Sequence, residues 1–166
     1  VVDHRADPRH AAALERWQPV REKFNWVGAW TGGAEALRRL GRFEEAESLL
    51  QTARYQFGTS PEPLVELARM AESRDDREAA IRRWKVVAER FPLDETMAYV
   101  VSDALVKLDD LRGAEATLRT AVDRFRTEVG PLVRLAELLH DRMQNYAAAV
   151  DAWAEVRRRA PDDDEA

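Results

Sequence analysis

In residues 78–92, apolar side chains recur among polar ones with the period of an α-helix. The apolar ones recur at intervals of three and four residues, which places them on one face of the predicted helix. They are Ala80, Ile81, Trp84, Val87 and Phe91. Pro92 follows and predicts the end of the helix, because proline cannot continue the backbone hydrogen bonding. The pattern predicts an amphipathic helix that buries one stripe, with Trp84 in the core.

The same stripe recurs at a fixed interval along the chain. Ala46, Ala80 and Ala114 are each separated by 34 residues, and Ala149 follows after 35. We place the one extra residue in the turn at 141–145. Further members of the recurring stripe are Leu50, Ala53, Phe57, Leu118, Ala121, Phe125, Trp153 and Val156. A repeat of this length indicates an array of helix pairs in which each pair contacts its neighbours.

Further amphipathic segments lie between these stripes. The turns Asp75-Asp76 and Asp109-Asp110 separate the two kinds of segment, and aspartate is typical of such turns. Because the turns are short, successive helices must pack antiparallel. We predict one all-α solenoid domain over residues 1–166. It comprises a half unit at 7–26, full units at 27–60, 61–94, 95–128 and 129–161, and an acidic tail at 162–166.

The 34-residue unit resembles the tetratricopeptide repeat, a helix–turn–helix of that length. The unit at 61–94 carries the resemblance through Leu64, Leu67, Ala68, Ala80, Trp84, Val87 and Pro92. The last unit carries it through Leu132, Leu135, Ala136, Tyr146, Ala149, Val156 and Pro161. The resemblance covers nearly the whole chain and implies a right-handed superhelix of antiparallel helix pairs.

The resemblance also implies where a partner would bind. In the tetratricopeptide-repeat family, the first helices of the units line a concave groove that accepts a peptide or a partner helix. The corresponding positions here are Glu35, Arg38, Glu62, Val65, Arg69, Glu72, Tyr99, Asp103, Val106, Val133 and Glu137. We expect Val65, Tyr99 and Val133 to form an exposed apolar line, flanked by charges of both signs.

Two related resemblances leave alternatives open. In the second helices, the pattern Arg-Trp-x-x-Val-x-x-x-Phe-Pro of residues 83–92 alternates with the pattern Ala-Glu-x-x-Leu-x-x-x-x-x-x-Phe of residues 46–57 and 114–125. This alternation resembles tandem repeats of long bacterial proteins, some of which carry glycosyltransferase or sulfotransferase domains. The chain would then be an accessory domain of a larger enzyme of envelope polysaccharides. Because it begins with Val1 and has no signal-peptide pattern, we expect it to be part of a longer protein. The half-repeat family of RNA-processing scaffolds is another name for the same architecture.

Composition narrows the class of partner. The net charge of −5 and the pI of about 5.4 argue against a nucleic-acid partner, whose phosphates require a basic surface. No apolar run reaches the roughly 18 residues of a membrane span. The chain has no cysteine, which excludes disulfides and thiolate metal sites and leaves the redox compartment undecided.

No arrangement of residues indicates catalysis. The glycines of residues 28–33 have the spacing of a phosphate loop, but Ala34-Glu35 follows where lysine and a hydroxyl residue are needed. The histidines are His4, His10 and His140, and none has the spacing of a zinc site. We predict no enzyme activity, no cofactor and no metal.

The sequence therefore predicts a non-catalytic scaffold that binds a protein or peptide in its groove. A self-assembly module is a further alternative. The last second helix carries Val150, Trp153 and Val156, and no following helix is predicted to cover them. Exposed apolar patches of this kind favour association between copies.

Overall fold

A computed structural model describes Ala12, Glu15, Pro19, Lys23, residues 26–91 and residues 93–160. Three predictions lie outside these residues or mostly so: the half unit at 7–26, the helix-ending role of Pro92, and the tail at 162–166. Pro161 also lies outside them.

Eight α-helices form within the described residues, and they follow the predicted repeats. The first helices of the four units are α1 (Val27–Arg39), α3 (Glu62–Ser73), α5 (Glu95–Lys107) and α7 (Gly130–Glu137). The second helices are α2 (Phe43–Gln56), α4 (Arg77–Arg90), α6 (Leu111–Arg124) and α8 (Tyr146–Arg159). The prediction of an all-α fold made of helix pairs is confirmed.

The turn within each pair contains one residue in the left-handed region. Gly41, Asp75, Asp109 and Gln144 have φ values of 73°, 57°, 60° and 52°. The interval between them is 34, 34 and then 35 residues, the same as between the recurring alanines. Left-handed backbone ends a helix and lets the chain reverse, which is why glycine and aspartate suit these positions.

The residue after each left-handed position starts the second helix. The side chains of Asp76, Asp110 and Asn145 accept hydrogen bonds from the backbone N–H groups three residues later, at 3.0, 3.3 and 3.3 Å. These are N-cap contacts, which satisfy donors that the first turn of a helix leaves unpaired. The interpretation of the paired aspartates as turn residues is therefore confirmed.

The segment 141–145, where we placed the extra residue of the last unit, begins within a helix and not in a turn. Residues Leu138–Arg142 continue α7 as a π-helix. The backbone N–H of Met143 bonds to the carbonyl of Leu138 at 3.0 Å. A π-turn holds one residue more than an α-turn, so it accommodates the insertion while both flanking segments keep their register.

The described residues divide into two compact units, with the boundary between Val87 and Ala88. In the first unit, α1 packs on α2 and α3. Trp84 is 1% exposed and is the largest fully buried side chain, as predicted. The other large buried side chains of this unit include Leu37, Leu50, Leu64, Leu67, Met70 and Val87.

In the second unit, α6 packs between α5 and α7, and α8 packs on α7. Its buried side chains include Val101, Leu105, Leu118, Leu132, Leu135, Leu138 and Leu139. The recurring alanines Ala46 and Ala80 lie in the first unit, and Ala114 and Ala149 lie in the second. All four are at most 2% exposed. Small residues there let paired helices approach closely, so the 34-residue period marks the places where helices touch.

Candidate functional site

The first helices of the units carry the residues that we predicted to bind a partner. In the first compact unit these helices are α1 and α3. Arg38 on α1 donates a hydrogen bond to the hydroxyl of Ser73 on α3 at 2.7 Å. Glu35 accepts from Arg39 one turn later, at 2.6 Å. The hydrogen bond between Arg38 and Ser73 thus links the two helices.

Glu66 and Arg69 form the centre of the polar surface on α3. The Arg69 guanidinium donates to Oε1 of Glu66 at 2.7 Å. The Glu66 side chain is only 11% exposed, whereas that of Arg69 is 47% exposed. Burial raises the pKa of Glu66, and the positive charge of Arg69 only partly opposes that effect. Arg69 is the more accessible of the two charges.

Val65 does not take part in a binding surface. It is 4% exposed and belongs to the core of the first unit. The expectation of an exposed apolar line through Val65, Tyr99 and Val133 is wrong at this residue, because α3 packs over a broader face than its predicted stripe. Eight of its residues are buried, among them Pro63, Leu64, Val65 and Glu66.

The two remaining predicted residues of the first unit are exposed. Glu62 accepts a hydrogen bond from the hydroxyl of Ser60, which lies in the turn before α3. Glu72 accepts one from the indole N–H of Trp84 on α4. Glu72 therefore has a structural contact as well as an exposed position on α3.

In the second unit, Tyr99 is held on both its polar and its aromatic side. Its hydroxyl donates a hydrogen bond to Glu95 one turn earlier on α5. The guanidinium of Arg134 lies over its ring, 4.4 Å from the ring centroid. Burial, together with the hydrogen bond to Glu95, raises the pKa of Tyr99, so the hydroxyl remains a donor.

Arg134 connects α7 to α5 through two contacts. Besides stacking on Tyr99, it donates to the carboxylate of Asp103 at 2.8 Å. The side chains of Arg134 and Asp103 are 42% and 52% exposed. The three side chains form a cluster in which a cation is bound between an aromatic ring and a carboxylate, an arrangement suited to guanidinium groups. We call Glu95, Tyr99, Asp103 and Arg134 the tyrosine cluster.

Gly130 at the start of α7 makes room for this cluster. A Cβ atom added there would lie 2.3 Å from the Tyr99 hydroxyl oxygen and 2.7 Å from Oε1 of Glu95. Both distances are too short for any side chain, so Tyr99 can occupy its position only because residue 130 is glycine. The missing side chain in the first turn of α7 therefore leaves the space that the Tyr99 hydroxyl occupies.

The other predicted residues of the second unit flank the tyrosine cluster along α5 and α7. Val106 and Val133 are half-buried, and Glu137 is exposed. Of the predicted residues, the structure brings Tyr99 and Asp103 into one cluster through Arg134.

Sequence reasoning missed three residues of these surfaces: Glu66, Glu95 and Arg134. A signal for two of them was present, because Glu66 and Arg134 are separated by 68 residues, or two repeats, and each follows directly after a predicted binding residue. Glu95 lies one helical turn before Tyr99, where a glutamate reaches a tyrosine hydroxyl.

The described residues contain no group of three or more histidine, aspartate or glutamate side chains arranged to hold a metal ion. None of the described helices is both long enough and apolar enough to cross a membrane.

Known structures resemble this fold over most of its length. MamA residues 41 to the end, from Desulfovibrio magneticus RS-1, matches with a TM-score of 0.57 and 16% sequence identity, over 94% of this chain and 88% of that one. YrrB, described as a TPR protein with an unusual peptide-binding site, matches with a TM-score of 0.54 and 16% identity, over 90% and 77%. The chain has the tetratricopeptide-repeat (TPR) fold.

At 16% identity, the similarity of the TPR structures is one of fold. No protein-family model matches the sequence, and no curated protein does. The predicted resemblance to the tetratricopeptide repeat is confirmed at the level of the fold. What this TPR chain binds has to be argued from its own surfaces.

Proposed function

We propose that this protein is a non-catalytic scaffold that binds a peptide or a helix of another protein on the exposed faces of its first helices. The observation that carries the proposal is the tyrosine cluster. An aromatic ring with a fixed hydroxyl and two half-exposed charges offers a partner both apolar area and directional contacts. Tyrosine and arginine are the residues that contribute most often to protein interfaces.

Each unit contributes its own surface to this proposal. In the first unit the exposed or half-exposed residues are Glu35, Arg38, Glu62, Arg69 and Glu72. In the second unit they are Tyr99, Asp103, Val106, Val133 and Glu137. The peptide-binding site named for YrrB supports the proposal, since that protein shares the fold. Rigid helices are suited to present such residues because a partner then orders fewer side chains on binding.

A displayed library of random 16-residue peptides tests the proposal. Peptides selected on the full chain should lose most of their affinity for Tyr99→Ala, because the ring and its contacts disappear together. Tyr55→Ala is the matched control, since Tyr55 is 93% exposed on the second helix α2. Circular dichroism should show equal helicity for both variants. Peptides that bind Tyr99→Ala as tightly as the unchanged chain would remove the tyrosine cluster from the proposed site.

Self-association through α8 is a second candidate function. Tyr146, Val150 and Trp153 on this helix are 56%, 66% and 38% exposed, although each is large and apolar. Leu118 occupies on α6 the position that Trp153 occupies on α8, and it is 2% exposed. Exposed apolar side chains on one helix face favour contact with another apolar surface.

Light scattering over a concentration series tests self-association. We expect a mass that rises with concentration above the 19.0 kDa of one chain and returns to that value in Trp153→Glu. Tyr55→Glu introduces the same charge at an exposed aromatic residue elsewhere and should leave the association unchanged. A mass of one chain at every concentration would exclude this candidate.

A further inference from the structure

The Tyr99 ring and the Asp103 carboxylate already bind a cation, the guanidinium of the chain's own Arg134. The ring centroid is 4.4 Å from the guanidinium carbon, and the carboxylate oxygen is 2.8 Å from its nitrogen. A planar guanidinium is suited to this site because it can stack on the ring while its N–H groups point outward to an acceptor. The contact shows which chemical group this surface accommodates.

The charges around the tyrosine cluster are mostly negative. Residues 95–103 and 128–137 contain four carboxylates and a single basic side chain, Arg134. The carboxylates are Glu95, Asp103, Glu128 and Glu137. Since Arg134 is paired with Asp103, the rest of this surface attracts positive charge. A partner with arginine or lysine side chains is therefore electrostatically complementary to it.

Arg134 is placed so that another cation can replace it. Its side chain is 42% exposed, and that of Asp103 is 52% exposed, so both contacts are open to solvent. A surface ion pair of this exposure contributes little free energy, because water screens both charges. An arginine from a partner that brings additional contacts can displace Arg134 at small cost.

Building on the proposed function, we infer that the α5–α7 surface of the second unit selects partner segments rich in arginine or lysine, and that Arg134 occupies the position of the partner's cation in the free protein. Arg134 thereby competes with the partner and lowers its affinity. The unusual consequence is that removing Arg134 strengthens binding, whereas removing Asp103 weakens it.

Two fluorescein-labelled helical peptides test the inference by anisotropy at physiological ionic strength. Both have the same length and the same alanine and leucine positions, and one carries arginine where the other carries glutamate. The full chain should bind the arginine peptide and not the glutamate peptide. Arg134→Met should raise the affinity about threefold and Asp103→Asn should lower it about threefold, the size expected of exposed cation–π contacts and exposed ion pairs.

Matched controls separate this effect from net charge. Arg112→Met and Asp123→Asn make the same charge changes at exposed positions on α6, in the same unit. They should alter the affinity for the arginine peptide by much less than the variants of the cluster. Equal effects in the cluster and control variants, a preference for the glutamate peptide, or binding of neither peptide would overturn the inference.

The inference can fail while the proposed function stands. In that case, library peptides still lose affinity for Tyr99→Ala, but they show no enrichment in arginine or lysine and bind Arg134→Met less tightly than the unchanged chain. If the selected peptides are indifferent to Tyr99→Ala, the proposed function itself fails at this cluster.

Discussion

The indole N–H of Trp84 donates a hydrogen bond to the carboxylate of Glu72, which joins α4 to the end of α3. Trp84 is 1% exposed, so an unpaired N–H group there would lose its hydrogen bonds to water without replacement. Next to it, Arg83 donates to the carbonyl of Leu67 at 2.6 Å and to Glu47 at 2.7 Å. The second helix of this pair is therefore held by apolar packing and by directional contacts at once.

Truncation of Trp84 should therefore be severe. We expect Trp84→Ala to lower the free energy of unfolding by roughly 3–5 kcal/mol, because it leaves a large cavity in the core of the first unit. Trp26→Ala is the control, since Trp26 is 57% exposed, and should change the stability by roughly 0.5 kcal/mol or less. Urea unfolding followed by circular dichroism measures both. A mild effect of Trp84→Ala would show that α4 packs less tightly than described.

The helices and their core could be predicted from the sequence because their signal is periodic. A buried stripe that recurs every 34 residues identifies the packed face, and Ala80, Trp84 and Val87 are all at most 1% exposed. The binding surface was harder to predict. The buried stripe does not reveal which of the remaining positions are exposed, and Val65 is buried because neighbouring helices cover more of α3 than that stripe.

Contacts between helices of different repeats were also beyond the sequence pattern. Arg134 reaches Asp103 across 31 residues, and its approach to Tyr99 depends on the missing side chain at Gly130. A repeat pattern indicates which face a residue occupies, but the rotamers of long side chains decide which of several exposed charges meet. The cluster became apparent only with the distances.

Gly41 should stabilise the fold through its backbone conformation alone. Its φ is 73°, and a Cβ atom added there would contact nothing within 4 Å. We expect Gly41→Ala to lower the free energy of unfolding by about 1–2 kcal/mol, the strain of a left-handed residue with a side chain. Gly58→Ala is the control at a turn outside the left-handed region and should be neutral or stabilising. Equal thermal midpoints for the two variants would contradict this account.

Deletion of Asp141 should be tolerated. Asp141 is exposed within the π-helix Leu138–Arg142, and its removal restores the 34-residue spacing found between the other units. We expect unchanged helicity and an equal or higher thermal midpoint, since an α-turn replaces the π-turn. Lys107 is the exposed residue of α5 that lies 34 residues before Asp141. Its deletion removes a residue from a helix that contains no inserted one. It should lower the free energy of unfolding by roughly 2 kcal/mol.

Gly130→Ala should disturb the tyrosine cluster without breaking a helix. The new methyl group would collide with the Tyr99 hydroxyl and with Glu95, so these two hydrogen-bonded side chains must shift. We expect a loss of stability of roughly 1–3 kcal/mol, as for overpacked positions. Alanine has the higher helix propensity, so a gain of stability would mean that the ring yields without cost. Urea unfolding measures the difference, and the tyrosine absorbance reports the movement of the ring.

Glu66 should make the stability of the first unit depend on pH. Burial raises its pKa, so the folded state favours the neutral acid more than the unfolded state does. The stability that this group contributes is complete below the ordinary glutamate pKa of about 4.3. It is lost as the pH rises through the raised value of the folded state, because the buried group must then carry a charge.

Replacement of Glu66 by glutamine should remove the loss of stability that occurs when the buried carboxyl ionises. The amide stays neutral at every pH and its oxygen can still accept from Arg69, which is half-exposed and tolerates a weaker partner. We expect Glu66→Gln to be more stable than the unchanged chain at pH 7, and the difference to disappear below pH 4. Urea unfolding at both values measures the difference, with the exposed Glu62→Gln as control. A less stable Glu66→Gln at pH 7 would contradict this expectation. It would mean that the ion pair with Arg69 stabilises the fold by more than the burial of the Glu66 charge destabilises it. The position of the accessible Arg69 would then depend on that ion pair.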